Sequence, residues 1–90
     1  MSILIHIPTI LRALTNDQKK VNSSGDTVSD IVENLECDFP GIKDRLINNK
    51  EVHGFINIYL NDEDIRFGEG LNTQVKPGDA ITILPAVAGG

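Results

Sequence analysis

Among the 90 residues, the groups most suited to chemistry lie at the end, in Leu84-Pro85-Ala86-Val87-Ala88-Gly89-Gly90. A carboxyl group borne on two glycines is a distinctive reagent. With no Cβ at Gly89 or Gly90, its carbon can be threaded through a narrow channel into another protein's site. Pro85 has no N–H to give a sheet ladder, so the strand before it is expected to stop at Leu84. Residues 85–90 should then leave the body as a flexible tail. The plain alternative is a frayed terminus that happens to be small, and the remainder of the chain has to decide between the two.

The other reactive side chains are sparse. Cys37, the sole cysteine, falls late on a helical pattern, where it reads as a small packing residue rather than a persulfide relay. His6 and His53 are remote in sequence and have no acid or nucleophile at a recognisable spacing, so no catalytic or metal role is assigned to them. Asp62-Glu63-Asp64 lacks the further ligands and the glycine of a calcium loop and reads as a solvated hairpin turn.

Composition narrows the choice further. Ninety residues make one small domain, stable without metal or disulfides but too small for a deep enclosed active site. A carrier or binding module is favoured over an enzyme. A net charge of -5 argues against nucleic acid and against an anionic membrane as partners; it favours a basic face on a protein partner, although such a charge is ordinary for soluble proteins. A lone cysteine excludes an internal disulfide framework, and the opening Met-Ser-Ile-Leu-Ile-His-Ile-Pro lacks the basic region and length of a signal peptide. No apolar run approaches the ~20 residues that span a bilayer. The expectation is a cytoplasmic protein with a body over residues 1–84 and a tail over 85–90.

The elements that must position that tail follow from periodicity. Ile3, Ile5 and Ile7 alternate with Leu4 and His6, as in a strand with one face in a core. Residues 9–12 read as a loop leading to the turn formers Thr15-Asn16-Asp17, and 18–22 as a returning strand with Val21 inward. Thr27 and Asp30 have capping-box spacing. Val28, Ile31, Val32 and Leu35 then form the apolar stripe of a helix, with Ser29, Glu33, Asn34 and Glu36 in water. Phe39-Pro40-Gly41 stops it, residues 42–47 add a short second helix, and 48–51 form a polar loop. Residues 55–60 are the clearest strand, 61–64 turn the chain, 65–67 return beside it, and 80–84 form the final strand after the Lys76-Pro77-Gly78-Asp79 turn. Helix on mixed sheet is the economical two-layer solution, and the crossover rule places the strand after the helix parallel to one before it. A β-grasp satisfies this pattern, as do other small α+β folds.

Taken together, Gly78-Asp79-Ala80-Ile81-Thr82-Ile83-Leu84-Pro85 and the terminal Gly89-Gly90 resemble the end of the ThiS/MoaD family of ubiquitin-like sulfur carriers. The likeness extends through residues 55–67 and the opening Ile-Pro-Thr-Ile-Leu-Arg, with residues 43–54 least distinctive. Within the family the chain looks most like carriers that deliver sulfur for cysteine synthesis. Carriers forming the small subunit of molybdopterin synthase often have an aromatic residue or paired prolines where Leu84-Pro85-Ala86 stands here.

The resemblance implies an α+β, ubiquitin-like β-grasp: a mixed sheet, one main helix on one face, and a flexible Gly-Gly tail. It implies a protein substrate rather than an enzyme, with Gly90 adenylated and converted to a thiocarboxylate, and Pro85, Ala86, Val87, Ala88 and Gly89 entering the partner. Leu4, Tyr59 and Leu84 are expected to point away from the helix as an apolar docking patch. The implied partners are an E1-like adenylating enzyme of the MoeB/ThiF type, which uses ATP, an O-phosphoserine sulfhydrylase-type cysteine synthase holding pyridoxal phosphate, and a metal-dependent hydrolase that releases cysteine. The carrier itself is expected to bind no cofactor or metal. The alternatives are a molybdopterin synthase small subunit and a ubiquitin-like modifier, which uses the same activated acyl group to form isopeptide bonds.

Overall fold

Strand β1 (Ile3–His6) buries Ile3 and Ile5 and leaves Leu4 and His6 half-buried on the opposite face, the alternation that a pleated strand imposes. The structure, a computed structural model, describes residues 3–48, 51–52, 54 and 56–85. After Pro8 the chain winds into a 3₁₀ helix (Thr9–Leu14) in place of the expected loop, and Leu11 drops from it into the core. Asn16 and Asp17 reverse the chain at φ of 55° and 63°, a conformation that these short polar side chains tolerate better than most. Strand β2 (Lys20–Ser23) then pairs antiparallel with β1, with Val21 opposite Ile5. It lies slightly later than residues 18–22, and Ser23 as well as Val21 faces inward. A buried serine is tolerated because its hydroxyl donates to the Ile31 carbonyl at 3.2 Å.

Helix α1 (Val28–Asp38) starts where the capping pattern places it, with Thr27 Oγ1 accepting from the Asp30 N–H at 3.2 Å. The reciprocal bond goes one residue further back than in a standard capping box: Asp30 Oδ2 accepts from the Asp26 N–H at 3.3 Å. A distant strand-like segment completes the cap. The Val28 N–H donates to the Thr73 carbonyl at 3.0 Å, and the Val75 N–H to that of Asp26 at 2.9 Å. Val28, Ile31, Val32 and Leu35 form the buried stripe. Cys37, expected to pack, is exposed instead.

Glu36 also departs from expectation, because it is not simply a solvated residue. Its carboxylate accepts from the Gly41 N–H at 3.0 Å and from the Lys43 N–H at 2.9 Å, so α1 supplies the N-terminal cap of helix α2 (Ile42–Leu46). Those two backbone donors, Gly41 first, hold the Glu36 carboxyl below the ordinary glutamate range. Lys43 pairs with Glu33 from the neighbouring turn of α1, which raises the lysine.

The polar loop expected at 48–51 contains a small hairpin, β3 (Ile47–Asn48) with β4 (Glu51–Val52). Strand β5 (Ile56–Leu60) buries Ile56 and Ile58; Phe55, which was expected in this strand, lies outside the described residues. Asn61 and Asp62, at φ of 50° and 74°, form a two-residue hairpin loop of the kind that matches strand twist. Strand β6 (Glu63–Asp64) already lies beyond that loop. Residues 65–67 do not return as a strand. Asp64 Oδ1 accepts from the Arg66 N–H at 2.9 Å and starts a 3₁₀ helix (Ile65–Phe67), which turns Ile65 into the core. A further 3₁₀ turn (Gly70–Asn72) and the turn at 76–79 lead to strand β7 (Ala80–Pro85). Gly78 occupies φ +90° after Pro77, as a type II turn requires.

The main sheet has the order β2-β1-β7-β5-β6. Only β1 and β7 are parallel; the remaining neighbours are antiparallel. The parallel partner is therefore the last strand, and β5, the first strand of the main sheet after α1, runs antiparallel to β7. The core lies between the inner sheet face (Ile3, Ile5, Ile56, Ile58, Ile81, Ile83) and the stripe of α1, with Ile42 and Leu46 of α2 closing one side. A helix held against a mixed sheet whose two central strands are parallel is the β-grasp arrangement.

Candidate functional site

The residues that the sequence singles out for chemistry follow β7, and the sheet fixes where that strand ends. β7 is the central strand, paired with β1 through Leu4–Ala80 and His6–Thr82, and with β5 through five successive positions from Leu60–Ile81 to Ile56–Pro85. The strand thus includes Pro85, one residue beyond the expected stop at Leu84. Proline ends donation to the ladder but still fits the extended backbone of its last position. Ile81 and Ile83 are buried, whereas Leu84 is 45% exposed and Pro85 is also exposed, so the strand emerges from the core over its final two residues.

The opposing strand is braced at the same level. Arg66 donates through Nη2 to the Ile56 carbonyl and through Nη1 to Asn57 Oδ1, each at 2.6 Å. β6 reaches only Tyr59 and Leu60, so Arg66 occupies the part of the β5 edge that β6 leaves uncovered. Sequence patterning did not mark Arg66 for this task, since residues 65–67 read as a strand.

At the other end of β7, the turn is clasped. Asn61 Nδ2 donates to Asp79 Oδ1 at 2.9 Å, the Ala80 N–H donates to Asn61 Oδ1 at 3.0 Å, and Asp79 Oδ2 accepts from the Lys76 N–H at 2.8 Å. The Asn61 amide, followed by the Lys76 N–H, lowers the Asp79 carboxyl from its ordinary value. Side-chain hydrogen bonds therefore fix the start of β7 directly and, at its other end, brace the neighbouring strand β5.

The expected docking residues Leu4, Tyr59 and Leu84 do share the sheet face away from α1. The register spreads them along that face. Leu4 adjoins Ala80, Tyr59 adjoins Thr82, and Leu84 adjoins Asn57, so three rungs of the sheet separate the first from the last and Thr82 stands among them. Leu4 and Tyr59 are half-buried and Leu84 is exposed. His6 is on the same face, between Lys20 of β2 and Thr82 of β7. Ala86, Val87, Ala88, Gly89 and Gly90, with His53, lie outside the described residues. Asp62 belongs to the β5–β6 turn and Glu63-Asp64 to β6. No group of three or more His, Cys, Asp or Glu residues among the described residues is placed to hold a metal ion. No helix among them is long and apolar enough to cross a membrane.

The strand order, the single parallel central pair and the emergent β7 define a ubiquitin-like β-grasp protein. Comparison with known proteins agrees in sequence and in fold: the sequence model of the ThiS family matches residues 5–90, and the chain belongs to that family. It is 50% identical to the sulfur carrier protein CysO of Mycobacterium tuberculosis (strain ATCC 25618 / H37Rv) over 93 aligned positions, covering 100% of both chains. A chain of the BexX/CysO complex of Amycolatopsis orientalis superposes with a TM-score of 0.92 at 51% identity, covering 98% of this chain and 99% of that one. A more distant relative is small archaeal modifier protein 3 of Haloferax volcanii, 36% identical over 64 residues and covering 71% of this chain and 70% of that protein.

Proposed function

We propose that this protein is a sulfur carrier whose reactive atom is the carboxyl carbon of Gly90 and whose sulfur is destined for cysteine synthesis. The observation that carries the proposal is the end-to-end match to a sulfur carrier at 50% identity, with the family match extending to residue 90. In the proposed sequence an E1-like adenylating enzyme joins the Gly90 carboxylate to the AMP moiety of ATP and releases pyrophosphate. A sulfur nucleophile then attacks the acyl carbon, AMP departs, and a thiocarboxylate remains.

Residues 85–90 act as the inserting tail on a body formed by residues 1–84, although Pro85 also completes β7. Pro85 sets the exit direction, Ala86, Val87 and Ala88 are small enough for a narrow channel, and Gly89 and Gly90 let the acyl carbon approach reacting groups. Leu4, Tyr59 and Leu84 contribute apolar area to docking. The carrier needs no cofactor of its own: ATP belongs to the activating enzyme and pyridoxal phosphate to an O-phosphoserine sulfhydrylase-type synthase. A metal-dependent hydrolase would release the cysteine formed on the tail, and the whole cycle belongs in the cytoplasm.

The deciding experiment is the intact mass of untagged protein from its own cells, before and after incubation with ATP, the activating enzyme and a sulfur source. A species heavier by the difference between one sulfur and one oxygen atom, consumed when O-phosphoserine and the synthase are added, is the expected result. Unmodified protein throughout would overturn the proposal. A second reading, as a protein modifier, is favoured by the Haloferax relative named as a modifier. It predicts isopeptide conjugates at lysines, with no thiocarboxylate drawn into cysteine.

A further inference from the structure

An acidic chain is expected to meet a basic partner, yet the surface at the exit of β7 has the opposite sign. A groove of about 370 Å³ runs between the 3₁₀ helix Thr9–Leu14, the entry to β2 and the last residues of β7. Arg12, Lys19 and Lys20 line it, three of the chain's eight Lys and Arg residues, together with His6. Among the described residues no carboxylate lines it, although the chain has 13 Asp and Glu. Its apolar wall contains Ile10, 60% exposed, and Leu84, 45% exposed. Those are two of the three large hydrophobic residues exposed among the described residues; the third, Phe67, does not line this groove.

The groove is also continuous with the path of the tail, since Leu84 and Pro85 form part of its lining. Any enzyme that draws in residues 86–90 must place the rim of its channel beside Pro85. The chemistry that fits is an apolar contact for Ile10 and Leu84 flanked by carboxylates opposite Lys19 and Lys20. Complementary charge at the edge of an interface accelerates encounter and fixes orientation.

We infer that this groove is a docking site for the activating enzyme, and that the enzyme presents to it an acidic rim around an apolar centre at the mouth of its tail channel. The inference rests on the carrier function proposed above, and it extends the recognition surface. The basic groove at the tail's root, in addition to the flat sheet face, selects the partner, and the chain's overall negative charge lies elsewhere.

The test uses the full-length protein and its cognate adenylating enzyme, with two readouts: direct binding by calorimetry and ATP-dependent pyrophosphate release. Lys19→Glu/Lys20→Glu and Ile10→Ser alter exposed side chains, and Arg12 is left intact because its Nε donates to the Ile7 carbonyl at 3.2 Å. Lys76→Glu, in the exposed turn before β7, is the charge control. Both groove variants should weaken binding and raise KM by roughly tenfold with kcat nearly unchanged, and the double lysine variant should lose the salt dependence of the native complex. Lys76→Glu should stay within about twofold of the native protein, as expected of a charge outside the interface. Groove variants that bind like the native protein, or a control that is equally impaired, would overturn the inference. Native protein that binds without pyrophosphate release would overturn the carrier function and leave the groove to be judged on binding alone. No binding at all would overturn both.

Discussion

Glu36 illustrates how one side chain can do more than its place in a helical pattern announces. Its spacing puts it on the solvent side of α1, and it is indeed only partly covered, yet its carboxylate closes the N-terminus of α2 through the Gly41 and Lys43 N–H groups. Helix starts leave such donors unsatisfied, and an anion there is doubly favourable because of the helix dipole. The folded protein thereby lowers the Glu36 pKa. A carboxyl depressed by folding stabilises fully above its unfolded pKa, and that contribution is lost as the pH falls through the lower, folded value. Glu36→Gln should therefore lower the thermal midpoint at neutral pH. The gap between native and variant protein should close as the pH is brought below the ordinary glutamate range, and thermal unfolding followed from acid to neutral pH measures it directly. Parallel curves, with the gap unchanged in acid, would show that the charge is not what the cap uses.

At the scale of elements, α1 is tied to the chain before it by a connector with no spare room. A Cβ at Gly25 would lie 2.6 Å from the Asp30 Cβ and 2.9 Å from the Ile31 nitrogen, and Gly25 sits at φ +155°. Gly25→Ala should cost about 2 kcal/mol, in the range of overpacking substitutions, measured by urea unfolding. Elements of this kind were legible to different degrees. β1, α1 and β5 follow from clear apolar periods, and Thr27 with Asp30 marked the start of α1 correctly. The 3₁₀ segments were missed because their cause is not periodic: Asp64 captures the Arg66 N–H, and Ile65 finds a core position that only the assembled sheet offers. Cys37 was misjudged because a three-turn stripe does not fix which side of its far end faces out. Of the candidate site, the tail was singled out from its composition, and its residues 86–90 lie outside the described residues. The basic groove was not legible, since it joins residues 6–10, 12, 19–20 and 82–85 and exists only once β7 is known to lie beside β1.

The whole molecule is arranged around β7. Its neighbours are β1, parallel, and β5, antiparallel, and its turn is held by Asn61 and Asp79. Ile3 starts β1 at the same end of the sheet as Ala80, while Pro85 finishes β7 at the opposite end. A pull on the tail against the N-terminus therefore acts along the shared axis of these two strands. The hydrogen bonds between them cannot open one by one like a zipper; they are loaded side by side and must slide together. Single-molecule stretching between the two termini should meet a high, single rupture force, and stretching between β2 and the tail should require less, because the β1–β2 hairpin can peel from its free edge. A low force in both directions would mean that the parallel pair does not bear the load. On the function proposed above, an enzyme could tug the tail into its channel while the body remains folded behind it.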